Sequence, residues 1–174
     1  MLVSARELRN GRLSDVPKDS GYYIWWFRED GARELLKNVK GINWGRIQTK
    51  IIFGETYYAL YFGISKDIQQ RLKWHILQHH VESQVESGRI STLRQTESAL
   101  LDLDVSVSER DINDFVDENC YVEFIATESE KDAREIERSE LRDHYYPLNI
   151  QDNRALEEDV KKYIKEQRAK HGRR

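Results

Sequence analysis

Two runs constrain this chain more than anything else in it: GYYIWWF at 21–27 and YYALYFG at 57–63. Aromatic side chains at that density fit a pleated, half-buried surface, so both runs read as strands. Alternation puts Tyr23, Trp25 and Phe27 on one face of the first strand, and Tyr57, Tyr61 and Gly63 on one face of the second. CYVEFIA at 120–126 alternates in the same way and makes a third. Helical spacing of apolar residues occupies 30–39, 66–80, 91–102, 109–117 and 130–144. Ser65 is the expected N-cap of the 66–80 helix, and Ser129 facing Asp132 opens the last as a capping box. The glycine-punctuated stretch 40–55 suits a strand or a long loop. This order predicts an α/β fold of the α+β kind: a small three-stranded antiparallel or mixed sheet flanked by helices. No repeat or linker interrupts it, so residues 1–152 read as one domain, followed by a charged helical tail over 153–174.

Charge and composition exclude several classes. With 39% hydrophobic and 34% charged residues, the 174-residue chain is ordinary for a globular protein. No stretch approaches the ~20 apolar residues of a membrane span. The N-terminus shows no apolar leader, and the single Cys120 can form neither an internal disulfide nor a multi-cysteine zinc site. A reducing, cytoplasmic setting is therefore expected. A net charge of −3 argues against indiscriminate nucleic-acid binding. The first 80 residues are nevertheless net positive and the rest net negative, which allows a basic face on the first half.

Some residues stand where packing alone would not put them. On the 130–144 helix, Ala133, Ile136, Glu137, Glu140, Leu141 and His144 share one face. Two carboxylates therefore lie on an apolar stripe. They require either cations from the same helix (Arg134, Arg138 or Lys131) or a ligand. In YFGISKDIQQRLKWH at 61–75, Arg71 and His75 sit one helical turn apart beside Ile68, Leu72 and Ile76. A core histidine with an arginine reaching to solvent is one explanation. A guanidinium fork on phosphate oxygens, with an imidazole able to relay a proton, is the other.

Taken in order, these pieces resemble the GIY-YIG nuclease superfamily. GYY at 21–23 stands for the first triplet and YFG at 61–63 for the second. Arg71 and His75 follow four apart on a helix, and AREIERSELRDHYYPLN at 133–149 resembles the helix with the metal-binding glutamate and the loop after it. The resemblance covers residues 17–150. It implies Tyr23 and Tyr61 as the motif tyrosines, Arg71 as the phosphate-holding arginine and His75 as its helper. It also implies Glu137 as the single metal-binding carboxylate and Asn149 as the asparagine after the helix. Glu140 remains a rival to Glu137, and Tyr22 to Tyr23. The 38 positions between Tyr23 and Tyr61 mark 28–56 as an insertion, and 81–118 as a second.

The implied activity is a metal-dependent endonuclease hydrolysing phosphodiester bonds in DNA, with RNA left open, using Mg2+ or Mn2+. Whether Tyr23 or His75 is the general base stays open. A different class of function is a catalytically silent nucleic-acid-binding or protein-interaction module on the same fold. GRISTLRQT at 88–96 offers Arg89 and Arg94 for backbone contacts, and the basic C-terminal residues offer more. Biological role, cleavage preference and oligomeric state have no signature in the sequence.

Overall fold

The two aromatic runs lie side by side as antiparallel neighbours in the middle of a sheet. The computed structural model describes residues 1–87 and 89–172. In chain order these form β1 (Leu2–Ser4), α1 (Ala5–Arg9), β2 (Gly21–Arg28), α2 (Glu29–Leu36), β3 (Thr49–Ile52), β4 (Glu55–Ser65) and α3 (Ile68–Leu77). They continue with α4 (Glu82–Glu86), α5 (Thr92–Leu100), α6 (Glu109–Asn119), β5 (Cys120–Ala126), α7 (Glu130–Asp143) and α8 (Glu158–Gly172). Among the described residues the strands make one antiparallel sheet in the order β1-β5-β2-β4-β3.

That sheet has five strands, where the sequence predicts three. β1 is only three residues long, too short for alternation to register, and it is held by pairing Leu2–Ser4 with Tyr121–Glu123. β3 lies in the stretch that suited either a strand or a loop. It pairs with β4 through a tight turn in which Phe53 and Gly54 take φ values of 49° and 86°. The N-cap of α3 also differs from expectation. Asp67, not Ser65, caps the helix by accepting from the Gln70 amide, while the Ser65 hydroxyl braces the backbone of Asp67.

The faces of β2 are as its alternation predicts: Tyr23, Trp25 and Phe27 enter the larger core, and Trp26 enters a smaller one on the other side. On β4 the prediction fails at one residue. The register slips between Trp25 and Trp26, which face Tyr61 and Ala59, so Leu60 is an extra residue in β4. The bulge reverses the alternation, and Tyr57 joins the smaller core while Tyr61 packs against the larger.

Helices cover both sides of the sheet. α3 is pinned to the larger core by Ile68, Leu72 and Ile76, all fully buried. Burying three aliphatic side chains stabilises by roughly 5–8 kcal/mol, ample to fix the helix and present its other face outward. α7 lies on the opposite side, with Ile136 and Leu141 against Phe62 and Tyr146. The segment expected as a charged tail contributes Leu156, Val160 and Ile164 to the larger core, so α8 packs as part of the fold.

Candidate active site

β4 outruns its neighbour. β3 pairs only with Glu55–Tyr58, leaving the second half of β4 as an open sheet edge. The segment after α7 covers that edge. The Leu148 amide donates to the Leu60 carbonyl at 3.0 Å. Asn149 then uses its whole carboxamide on Phe62: Oδ1 accepts from the Phe62 amide at 2.8 Å and Nδ2 donates to the Phe62 carbonyl at 2.7 Å. One side chain thereby supplies both bonds that a neighbouring strand would have given. Asn149→Ala orphans a buried donor and a buried acceptor. It is expected to cost roughly 2–4 kcal/mol, seen as a lower melting temperature. An unchanged melt would remove Asn149 from this role.

A cleft of about 880 Å³ opens where this edge meets α3 and α7. Tyr23, Tyr61, Arg71, Glu137 and Asn149 all line it. Tyr22 does not. It points to the other side of β2 and stacks on Phe62 with ring centroids 5.4 Å apart, so of the two tyrosines Tyr23 is the one that lines the cleft.

The motif glycines explain how Tyr23 reaches the cleft. A Cβ on Gly63 would lie 2.4 Å from the Tyr23 phenol ring and hydroxyl, so the tyrosine lies directly across the bare backbone of β4. A Cβ on Gly21 would lie 2.2 Å from the Ile125 carbonyl, which forces glycine where β2 meets β5.

His75 sits behind Tyr23, buried, and does not line the cleft. Its Nε2 is 2.9 Å from the Tyr23 hydroxyl and its Nδ1 is 2.6 Å from Ser91 Oγ, at the N-cap of α5. Burial, with Arg71 and Arg94 nearby, drops its pKa to about 3, so the resting imidazole is neutral. Burial also lifts Tyr23 well above the usual phenol range, and Tyr61 less strongly. Both tyrosines are neutral acids at physiological pH. Sequence patterning gave no sign of Ser91, because a hydroxyl that fixes an imidazole from a distant helix has no local spacing.

Glu137 is separated from Glu140 by its surroundings. Glu140 accepts from the Tyr146 hydroxyl at 2.7 Å and lies away from the cleft. Of the expected same-helix cations, Arg134 pairs with Glu130 and Lys131 with Glu135, while Arg134 and Arg138 attract Glu137 only at longer range. Glu137 forms no ion pair and no side-chain hydrogen bond among the described residues. Partial burial comes first in raising its pKa above the ordinary carboxylate value, and Asp152 across the cleft adds to it. Among the described residues no cluster of three or more His, Cys, Asp and Glu occurs. What the cleft offers a cation is one carboxylate without a direct ion pair or hydrogen bond among the described residues, with Asp152 also lining the cleft. That donor set fits a hard, oxygen-seeking divalent ion completed by water and substrate oxygens.

The cleft is also basic. Arg134, Arg138 and Arg142 recur every four residues along α7, and Arg154 and Lys161 join them with Arg71. Five of these six cations come from the acidic half of the sequence, not the net-positive first half. The sequence reading of ion pairing within the helix holds in part: Arg134 pairs with Glu130 and Arg142 with Asp143, leaving Arg138 without an ion pair among the described residues. Arg94 is the opposite case. It is buried, donating to His80 Nε2, the His75 carbonyl and Asn113 Oδ1, so it makes no surface contact. Gly88, at the start of the same stretch, and Arg173 and Arg174 of the terminal one lie outside the described residues.

A family model described as the GIY-YIG catalytic domain matches residues 21–170. No curated protein and no solved structure gives a significant match.

Proposed function

Because the chain belongs to the GIY-YIG catalytic domain family, we propose that it is a metal-dependent endonuclease that hydrolyses phosphodiester bonds in DNA. The observation that carries this reading is the convergence of Tyr23, Tyr61, Arg71 and Glu137 on one basic cleft. The site matches what the reaction needs: a group to orient the attacking water, and positive charge where the pentacoordinate phosphate gathers negative charge.

Glu137 would hold the divalent ion, Mg2+ or Mn2+, with Asp152 facing it. The ion, when bound, supplies Lewis-acid stabilisation of phosphate oxygens. Arg71 forms no ion pair among the described residues, so its guanidinium is available to donate to the non-bridging oxygens. Tyr23 would orient the attacking water, its own hydroxyl held in place by donating to His75 Nε2. That requires His75 to carry its resting proton on Nδ1, donating to Ser91 Oγ. A buried phenol and a buried neutral imidazole share that hydrogen bond without either being charged at rest. Tyr61, whose ring lies 6.4 Å from that of Tyr23, completes the wall. Asn149 acts as a positioning residue, since its amide is spent on β4.

Incubation with plasmid and oligonucleotide DNA, with Mg2+ or Mn2+ and then with chelator, tests the proposal. Cleavage that chelation abolishes supports it, and no cleavage with either metal overturns it. The α7 arginines yield a separate expectation. Each phosphate contact adds about 0.9 to the slope of log affinity against log salt. Arg138→Gln with Arg142→Gln should flatten that slope by about 2. An unchanged slope would remove α7 from the DNA path.

A further inference from the structure

Beside the cleft lies a second groove of about 1120 Å³, bounded by α3, α4 and the start of α7. The two share Ile64, Arg71, Arg134 and Glu137, so the groove begins where the scissile phosphate would sit. Its lining includes Trp74 and Leu77, each 38% exposed on the outward face of α3. An indole left this open on a helix pinned by other residues contributes little to the core. The Arg71 guanidinium lies over its ring, 4.9 Å from the centroid, and the His75 ring lies 6.4 Å away at 23°, which leaves the exposed remainder bordering the groove. Lys66 and Lys73 stand at the rim. Of the acids there besides Glu137, Asp67 is spent capping α3 and Glu130 is paired with Arg134.

We propose that this groove seats an unpaired nucleotide adjoining the scissile phosphate, its base stacked on Trp74. The inference rests on the phosphodiester-hydrolysis reading and adds a substrate class to it. The occupant follows from continuity and chemistry. A polynucleotide bound at Arg71 must leave the cleft by some path, and this one offers cations for phosphates and an aromatic plane for a base. In a duplex both faces of each base are already stacked, so a base can meet Trp74 only at a strand end, in a single-stranded arm or after extrusion. The guanidinium, indole and base then form one stack, linking the phosphate held by Arg71 to its neighbouring base.

The test is binding, measured with chelator present so that no cleavage occurs. The probe is a DNA duplex with a single-stranded extension carrying 2-aminopurine at its first unpaired position. Wild-type protein should quench the probe. Trp74→Ala should abolish the quench and weaken binding roughly tenfold, and Trp74→Phe should restore most of both. Affinity for the fully paired duplex should change less than twofold in either variant. Equal losses on both DNAs, or none on the extended one, would overturn the proposal. Equal losses would instead make Trp74 a support for Arg71. If the wild type cuts no DNA yet the Trp74-dependent quench persists, the hydrolase reading falls and the stacking site stands.

Discussion

Cleavage by the Glu137→Gln variant is expected to fall by roughly a thousandfold, with folding intact. The size follows from losing several kcal/mol of charge stabilisation at the phosphate, at about 1.4 kcal/mol per factor of ten. The substitution is nearly isosteric, and Glu137 is only partly buried without an ion partner, so removing its charge should not destabilise the protein. It should even relieve a small strain, because desolvation already disfavours the ionised form. Two readouts separate the roles. Mg2+ should raise the melting temperature of the wild type and leave that of Glu137→Gln unchanged. The wild-type rate should also decline on the acid side, as pH falls through the raised pKa of Glu137 and the carboxylate is protonated. Full activity in Glu137→Gln would end the assignment, and an identical response of both melts to Mg2+ would move the ion elsewhere.

Arg71→Ala is the second large loss, about 100- to 1000-fold in kcat/KM, the range for deleting one preorganised donor to a developing oxyanion. The side chain makes no salt bridge. Its one specific side-chain contact is the Trp74 ring, so the stability cost should stay near 1 kcal/mol. Arg71→Lys keeps the charge but loses the fork, and should recover only part of the rate. If Arg71→Ala instead unfolds the protein, the arginine serves the fold rather than the phosphate.

The sequence carried the centre of this molecule and lost its margins. β2, β4, β5 and α7 announced themselves through long alternating or amphipathic runs with caps. β1 and β3 did not, because three- and four-residue edge strands owe their existence to a partner far along the chain. The bulge at Leu60 was equally invisible, and it alone moved Tyr57 to the wrong face. Within the site, the grouping of Tyr23, Tyr61, Arg71 and Glu137 came from ordered motifs. The spending of Asn149 on the Phe62 backbone, the place of His75 behind Tyr23, and the tether from Ser91 depend on contacts between distant segments. The basic lining was hidden for a different reason. Net charge averages over the chain, whereas α7, Arg154 and α8 gather their cations on one side.

The contact between Tyr23 and Gly63 has a genetic consequence. The coupling runs one way: residue 23 can shrink beside Gly63, but position 63 cannot gain a side chain while Tyr23 stays. A methyl at position 63 is ruinous beside a full phenol, yet should become harmless once residue 23 is trimmed to alanine. The two short signatures that a reader of the sequence sees as separate words thus meet in one interlocked joint.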